Sequence, residues 1–174
     1  MAEVTVAIFI GSDSDIKKML PAKEFLDSLG ISCEMRITSA HRTAERTKVL
    51  VCELEKGGCK IFLCAAGMAA HLAGAVAAQT IKLVIGVPLT SEASPLGGVD
   101  ALLSTVQMPS GMPVATVAIN GAKNAAWLAA EILALNDAVL TEKLIAKRVK
   151  TAKETEEADK NLQQNIKYMF TSPE

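Results

Sequence analysis

Aromatic side chains are almost missing from this sequence: four Phe, one Tyr and one Trp among 174 residues. A core therefore has to be built from Ala, Val, Ile, Leu and Met, whose small volumes favour close backbone approach in layered α/β packing. An excess of one charge is missing too. With 18 Lys+Arg against 19 Asp+Glu, the net charge of −1 gives no broad footprint for nucleic acid or an anionic membrane, so any anion site must be local. The apolar run Val4–Ile10 is too short to span a bilayer and follows no basic n-region with a cleavage site, so a cytoplasmic protein is expected. The four cysteines, Cys33, Cys52, Cys59 and Cys64, form no C-x-x-C pair and lie in or beside apolar runs. Buried free thiols in a reducing compartment are expected, and the spacing is wrong for zinc. Gly11 lacks the further glycines of G-x-G-x-x-G, and no G-x-x-x-x-G-K-S/T occurs, which removes dinucleotide and P-loop triphosphate sites. A phospho-receiver would need an acceptor Asp where the chain has Ala65-Ala66-Gly67.

What is present is 50% hydrophobic residues and a mean hydropathy of +0.29, enough apolar surface for one compact core. Val4–Ile10, ended by Gly11, suits a strand buried on both faces. Met19, Ala22, Leu26 and Leu29 then recur at helical spacing until Gly30. Ile31–Thr38 reads as a second strand. Thr47, Leu50, Val51 and Leu54 share one helix face that stops at Gly57-Gly58, and Ile61–Ala65 is a third strand. A small-residue helix over Ala69–Gln79 leads to a fourth strand, Leu83–Val87, stopped by Pro88. Val99–Val106 is a short helix and Val114–Ile119 a fifth strand. The run Ala125–Leu135 is apolar almost all round, which predicts cover by another subunit. Leu140, Leu144, Ile145 and Val149 begin a last helix whose continuation, Thr151–Gln164, is dense in charge.

This alternation predicts an α/β fold: a three-layer, doubly wound, five-stranded parallel sheet plus a C-terminal helix. It is read as a single catalytic domain over residues 1–174, with a core of about 4–135 and a helical arm of about 137–174. Such sheets bind ligands beyond the carboxyl ends of their strands, where the strand order reverses. That rule draws together the turns with Ser12, Ser14 and Asp15, with Ser39, His41 and Arg42, with Gly67–Leu72, and with Ser91–Gly98.

Ser39-Ala40-His41-Arg42-Thr43 is the stretch with most chemistry. Ser39 and Arg42 suit an anionic oxygen, and a helix starting near Thr43 aims free N–H groups the same way. His41, one of two histidines, can exchange protons near neutrality. The plainer reading is a loop with a surface His and a salt-bridged Arg. Asp15 is either a carboxylate for ribose hydroxyls or a residue that offsets a helix dipole, and His71 is either catalytic or a core or supporting group. A flavin mononucleotide site in the manner of the flavodoxins stays open, since a hydroxyl-rich first loop can hold a flavin phosphate. The loops offer no aromatic residue to stack on its ring.

Gly11-Ser12-Asp13-Ser14-Asp15, Ser39-Ala40-His41-Arg42-Thr43, Ala66-Gly67-Met68-Ala69-Ala70-His71-Leu72-Ala73-Gly74, Gly86-Val87-Pro88, Leu96-Gly97-Gly98-Val99-Asp100 and Val106-Gln107-Met108-Pro109 stand in that order. On these motifs, from about Val6 to Leu135, the chain resembles the N5-carboxyaminoimidazole ribonucleotide mutases of purine biosynthesis, which are related to the aminoimidazole ribonucleotide carboxylases. The resemblance implies a flavodoxin-like strand order, a homo-octamer, and neither metal nor organic cofactor. It implies that Ser12, Ser39 and Arg42 bind the substrate phosphate, Asp15 the ribose, and that His41 transfers protons. Ala66, Gly67, Met68, Ala69, His71 and Leu72 would complete the contacts to the ribonucleotide and to transient CO2. The implied reaction moves a carboxylate from an exocyclic nitrogen to a ring carbon, by loss and recapture of CO2. Ala65, Met68 and Ala73 stand where the family usually has Gly, Gly and Pro. The direct carboxylase branch replaces Ala-Ala-His-Leu with an Arg-Ser-Asn type segment, so Ala69–Leu72 favour the mutase and direct CO2-dependent carboxylation is the alternative.

Overall fold

The computed structural model describes residues 4–171, so both ends of the 1–174 span expected from the sequence lie outside the described residues. Two compact units result, one ending at Ile132 and one beginning at Leu133.

The first unit holds the sheet. Strand β1 (Val6–Ile10) is buried throughout, as its unbroken apolar run requires. Next come a single 3₁₀ turn at Asp13–Asp15 and helix α1 (Ile16–Leu29). Gly30, at φ 78°, ends α1 in the left-handed conformation, its N–H returning to the carbonyls of Leu26 and Asp27. The order continues with β2 (Cys33–Ile37), α2 (Ala44–Lys56), β3 (Ile61–Gly67), α3 (Leu72–Ala77), β4 (Leu83–Leu89), α4 (Val99–Val106), β5 (Ala115–Thr116) and α5 (Ala122–Ala134).

All pairings are parallel and the strands lie in the order β2-β1-β3-β4-β5. The chain moves to one side of β1 for β2 and to the other for β3, so the order reverses at β1 and β3. On one face Ala7, Phe9, Phe62, Cys64 and Val84 pack with Val51 of α2 and with Leu72, Ala73 and Val76 of α3. Phe9 and Phe62 meet with their rings tilted by 56° and their centroids 5.6 Å apart. Residues of opposite parity, Val6, Ile8, Ile10 and Leu63, are equally buried, so both faces are covered, as parallel sheets demand. The alanines of α5, Ala122, Ala125, Ala126, Ala129 and Ala130, form its buried face, and Trp127 stacks on Phe25 of α1 at 4.7 Å.

Four expectations need correction. Pro88 does not stop β4 but lies within it. Its carbonyl accepts from the Asn120 N–H at 2.8 Å, so its ring nitrogen faces the side where β5 has already ended and no ladder bond is lost. Strand β5 itself is only Ala115–Thr116 rather than Val114–Ile119. The donors that follow, Val117 and Asn120, are three residues apart while their acceptors, Gly86 and Pro88, are two apart, which breaks the register. Helix α3 begins at Leu72 rather than Ala69, because Met68 adopts φ 56° and the His71 N–H turns back to the Ala69 carbonyl at 2.8 Å. The cysteines are free, but Cys52 is exposed and Cys33 half-buried: position 52 follows Val51, which occupies the inward face of α2.

The second unit is dominated by α6 (Ala138–Thr171). Asp137 caps it, its carboxylate accepting the Leu140 N–H at 2.9 Å. No helix among the described residues is long and apolar enough to cross a membrane.

Candidate functional site

The carboxyl ends of β1, β2, β3 and β4 open on one cavity of about 430 Å³. It lies at the reversal of strand order, where an open α/β sheet leaves its crevice.

The loop after β1 contributes Ser12 and Asp15. Ser12 Oγ accepts from the Ser14 hydroxyl at 3.1 Å and donates to Asp13 at 2.9 Å. Asp15 stands at the cap position of α1, where its charge meets the positive end of the helix dipole, and its side chain makes no capping bond. The residue is only 7% exposed. Burial pushes its carboxyl up from the ordinary value, and the Lys18 ammonium, 3.9 Å away, pulls it partly back.

The loop after β2 contributes Ser39, His41 and Arg42. Ser39 Oγ accepts the N–H groups of His41 and Arg42 at 3.3 and 3.2 Å, which leaves its own proton to donate to an oxygen in the cavity. Arg42 Nη2 donates to the Gly11 carbonyl at 3.1 Å, tying this loop to the end of β1. A chain of hydroxyls braces the loop from beneath. Thr43 Oγ1 accepts the Ser39 N–H at 2.9 Å and lies 3.3 Å from Thr38 Oγ1. Thr38 in turn meets the buried Thr47 hydroxyl at 2.7 Å. Helix α2 starts directly after Thr43, as the sequence implied.

The loop after β3 contributes Ala66, Gly67, Met68, Ala69, His71 and Leu72. Gly67 approaches the chain after β4 so closely that a Cβ would stand 3.2 Å from the Leu89 carbonyl and 3.4 Å from Ser91 Cβ. His71 is exposed to the cavity rather than buried in the core, and its Nδ1 lies 2.8 Å from Nε2 of His41. The two rings meet edge to face at 75°. Every residue expected to bind phosphate or ribose, transfer protons or complete the substrate contacts thus lines one cavity, while of the turn Ser91–Gly98 only Ser91 does.

Gly11, Ser14, Ala40 and Ser91 line it as well. Their signal in the sequence was position alone: each sits in one of the turns that the topological rule brings together. Among the described residues no group of three His, Cys, Asp or Glu could hold a metal ion. The arrangement offers hydroxyl, guanidinium and backbone donors for an anion, one carboxylate acceptor, a small apolar wall and a pair of imidazoles.

A family model described as AIR carboxylase matches residues 5–154. The chain is 46% identical over 159 residues to the N5-carboxyaminoimidazole ribonucleotide mutase of Pyrococcus horikoshii, covering 91% of this chain and 89% of that one. It is 44% identical over 162 residues to the mutase of the same name from Methanocaldococcus jannaschii, covering 93% and 99%. The crystal structure of Treponema denticola PurE matches with a TM-score of 0.81 at 32% identity, over 91% of this chain and 98% of that chain.

Proposed function

The chain belongs to the AIR carboxylase family, and on that premise we propose that it converts N5-carboxyaminoimidazole ribonucleotide to 4-carboxy-5-aminoimidazole ribonucleotide in purine biosynthesis. Relatives at 44–50% identity carry the mutase name, which supports this reaction over direct carboxylation. The observation that carries the reading is the meeting of His41, Arg42, Ser12, Ser39 and Asp15 on one cavity.

Ser12, Ser39 and Arg42 hold the substrate phosphate, and Asp15 accepts the ribose hydroxyls. With the nucleotide so anchored, His41 gives a proton to the exocyclic nitrogen as the carbamate bond breaks and CO2 is released. The electron-rich ring carbon attacks CO2, and His41 takes the proton from the tetrahedral carbon, restoring aromaticity. One proton reaches nitrogen and one leaves carbon, so the imidazole ends as it began. Ala66, Gly67, Met68, Ala69 and Leu72 complete the substrate contacts, the small apolar residues retaining CO2 away from water, and His71 acts beside them through its contact with His41. We further propose that the two units form one catalytic domain, that eight chains assemble, and that the enzyme works in the cytoplasm on a small ribonucleotide, without nucleic acid or membrane partners.

The test supplies either the carbamate ribonucleotide or the free amine with excess bicarbonate at low enzyme concentration. Rapid conversion of the carbamate is expected. Conversion of the amine alone would replace the mutase with a carboxylase, and conversion of neither would remove both.

A further inference from the structure

The mutase reading assigns proton transfer to His41 but leaves open which of its nitrogens acts and what holds the ring. The 2.8 Å contact between His41 Nε2 and His71 Nδ1 bears on both questions. At that distance one proton must lie between the two nitrogens, and it belongs to one ring or the other. Suppose that His71 is the donor. Neutral His41 then carries its proton on Nδ1, the only nitrogen left to gain one is Nε2, and charging His41 breaks the contact in every cycle. Suppose instead that His41 is the donor. Nε2–H then persists in both the neutral and the charged ring, protons come and go at Nδ1, and the bond strengthens as the ring becomes charged. Only the second arrangement survives the acid and base steps described above.

Both backbones are fixed to suit this. The His41 N–H is bound by Ser39 Oγ, and the His71 N–H by the Ala69 carbonyl in the turn that Met68 opens at φ 56°. Among the described residues no hydrogen bond is made to His41 Nδ1 or to His71 Nε2. Resting on the mutase reading, we propose that His71 is a positioning residue whose Nδ1 accepts the His41 Nε2 proton and so makes His41 Nδ1 the nitrogen that exchanges protons with the substrate. His71 itself remains neutral, with its proton on Nε2.

His71→Leu removes the acceptor and keeps the bulk. His71→Asn keeps an acceptor, because Oδ1 is as many bonds from the backbone as Nδ1. In His71→Leu, kcat is expected to fall roughly 10- to 100-fold with KM little changed, the signature of a lost tautomer lock. His71→Asn regains most of that loss, and His41→Asn/His71→Leu is no slower than His41→Asn alone. Side-chain 15N NMR of the free protein should show neutral His41 protonated on Nε2, and a mixture of tautomers in His71→Leu. A raised KM at unchanged kcat, losses that add in the double variant, or a His41 protonated on Nδ1 in the wild type would each overturn the assignment. Failure of the wild type to act on the carbamate ribonucleotide would refute the mutase reading instead, and the NMR result would still decide the contact.

Discussion

Replacing His41 by Asn keeps a polar side chain at the cavity but removes the group that gives and takes protons. Turnover should drop by about 10² to 10⁴, the usual share of a general acid or base, while the ribonucleotide still binds; unchanged turnover would contradict the role. Arg42→Ala acts differently, because the guanidinium is placed to hold an anion. Its affinity loss should be about 1.5–3 kcal/mol, the scale of a charge-assisted hydrogen bond, and isothermal titration with the ribonucleotide measures it. Asp15 makes a prediction about stability. Its carboxyl titrates above the ordinary value of 3.8, so over that window the folded chain keeps a proton that the unfolded chain has lost. This contribution is full at pH below the unfolded value and is lost as pH rises through the folded one. Asp15→Asn should therefore melt at a higher temperature than the wild type near pH 7, with the gain shrinking as pH falls below 3.8. Equal melting at both pH values would show that burial of this charge costs the fold nothing. A site residue that strains the fold is what a binding role for Asp15 leads one to expect.

Among the elements, α4 and β4 meet where no side chain can stand between them. A Cβ on Gly86 would collide with Thr105 Cγ2 and lie 2.9 Å from Val114 Cγ1. Gly86→Ala should thus destabilise by about 1–3 kcal/mol, the cost of overpacking, read as a lower midpoint in chemical denaturation; an unchanged midpoint would mean that the layers can separate freely. The elements also divide what the sequence made legible from what it hid. The stop of α1 was legible, since Gly30 in the left-handed conformation is a local device. So were the limits of α4, Val99–Val106, which follow Gly98 at φ 90°. The length of β5 was hidden, because its apolar run continues past the point where its partner's hydrogen bonds fall out of step. Pro88 misled for a related reason: whether a proline ends a strand depends on which neighbour its nitrogen faces, and that is a property of the sheet. Met68 hid the late start of α3, since an unbranched residue at φ 56° leaves no mark in the sequence.

At the scale of the whole molecule the convergence of the site was legible, because strand order alone sends the turns after β1, β2, β3 and β4 to one rim. The bond between His41 and His71 was not, since the two are separated by thirty positions and meet only through the rotamers of two loops. The proposed assembly is tested at this scale too. On α4 the side chains of Val99, Leu103 and Val106 are 47%, 54% and 45% exposed, one apolar stripe at helical spacing. Light scattering in solution should return eight times the 18.3 kDa chain mass, and the mass of a single chain would sink the octamer. How copies can meet is constrained by the two rims of the sheet. On one side β5 offers two residues. On the other, β2 carries the Glu34–Arg36 ion pair, and its last carbonyl, that of Ile37, is taken by Arg46. A foreign strand would therefore find only two residues to pair with at β5 and a charged pair on β2. The apolar stripe on α4, rather than either rim of the sheet, is the surface that the proposed assembly can use.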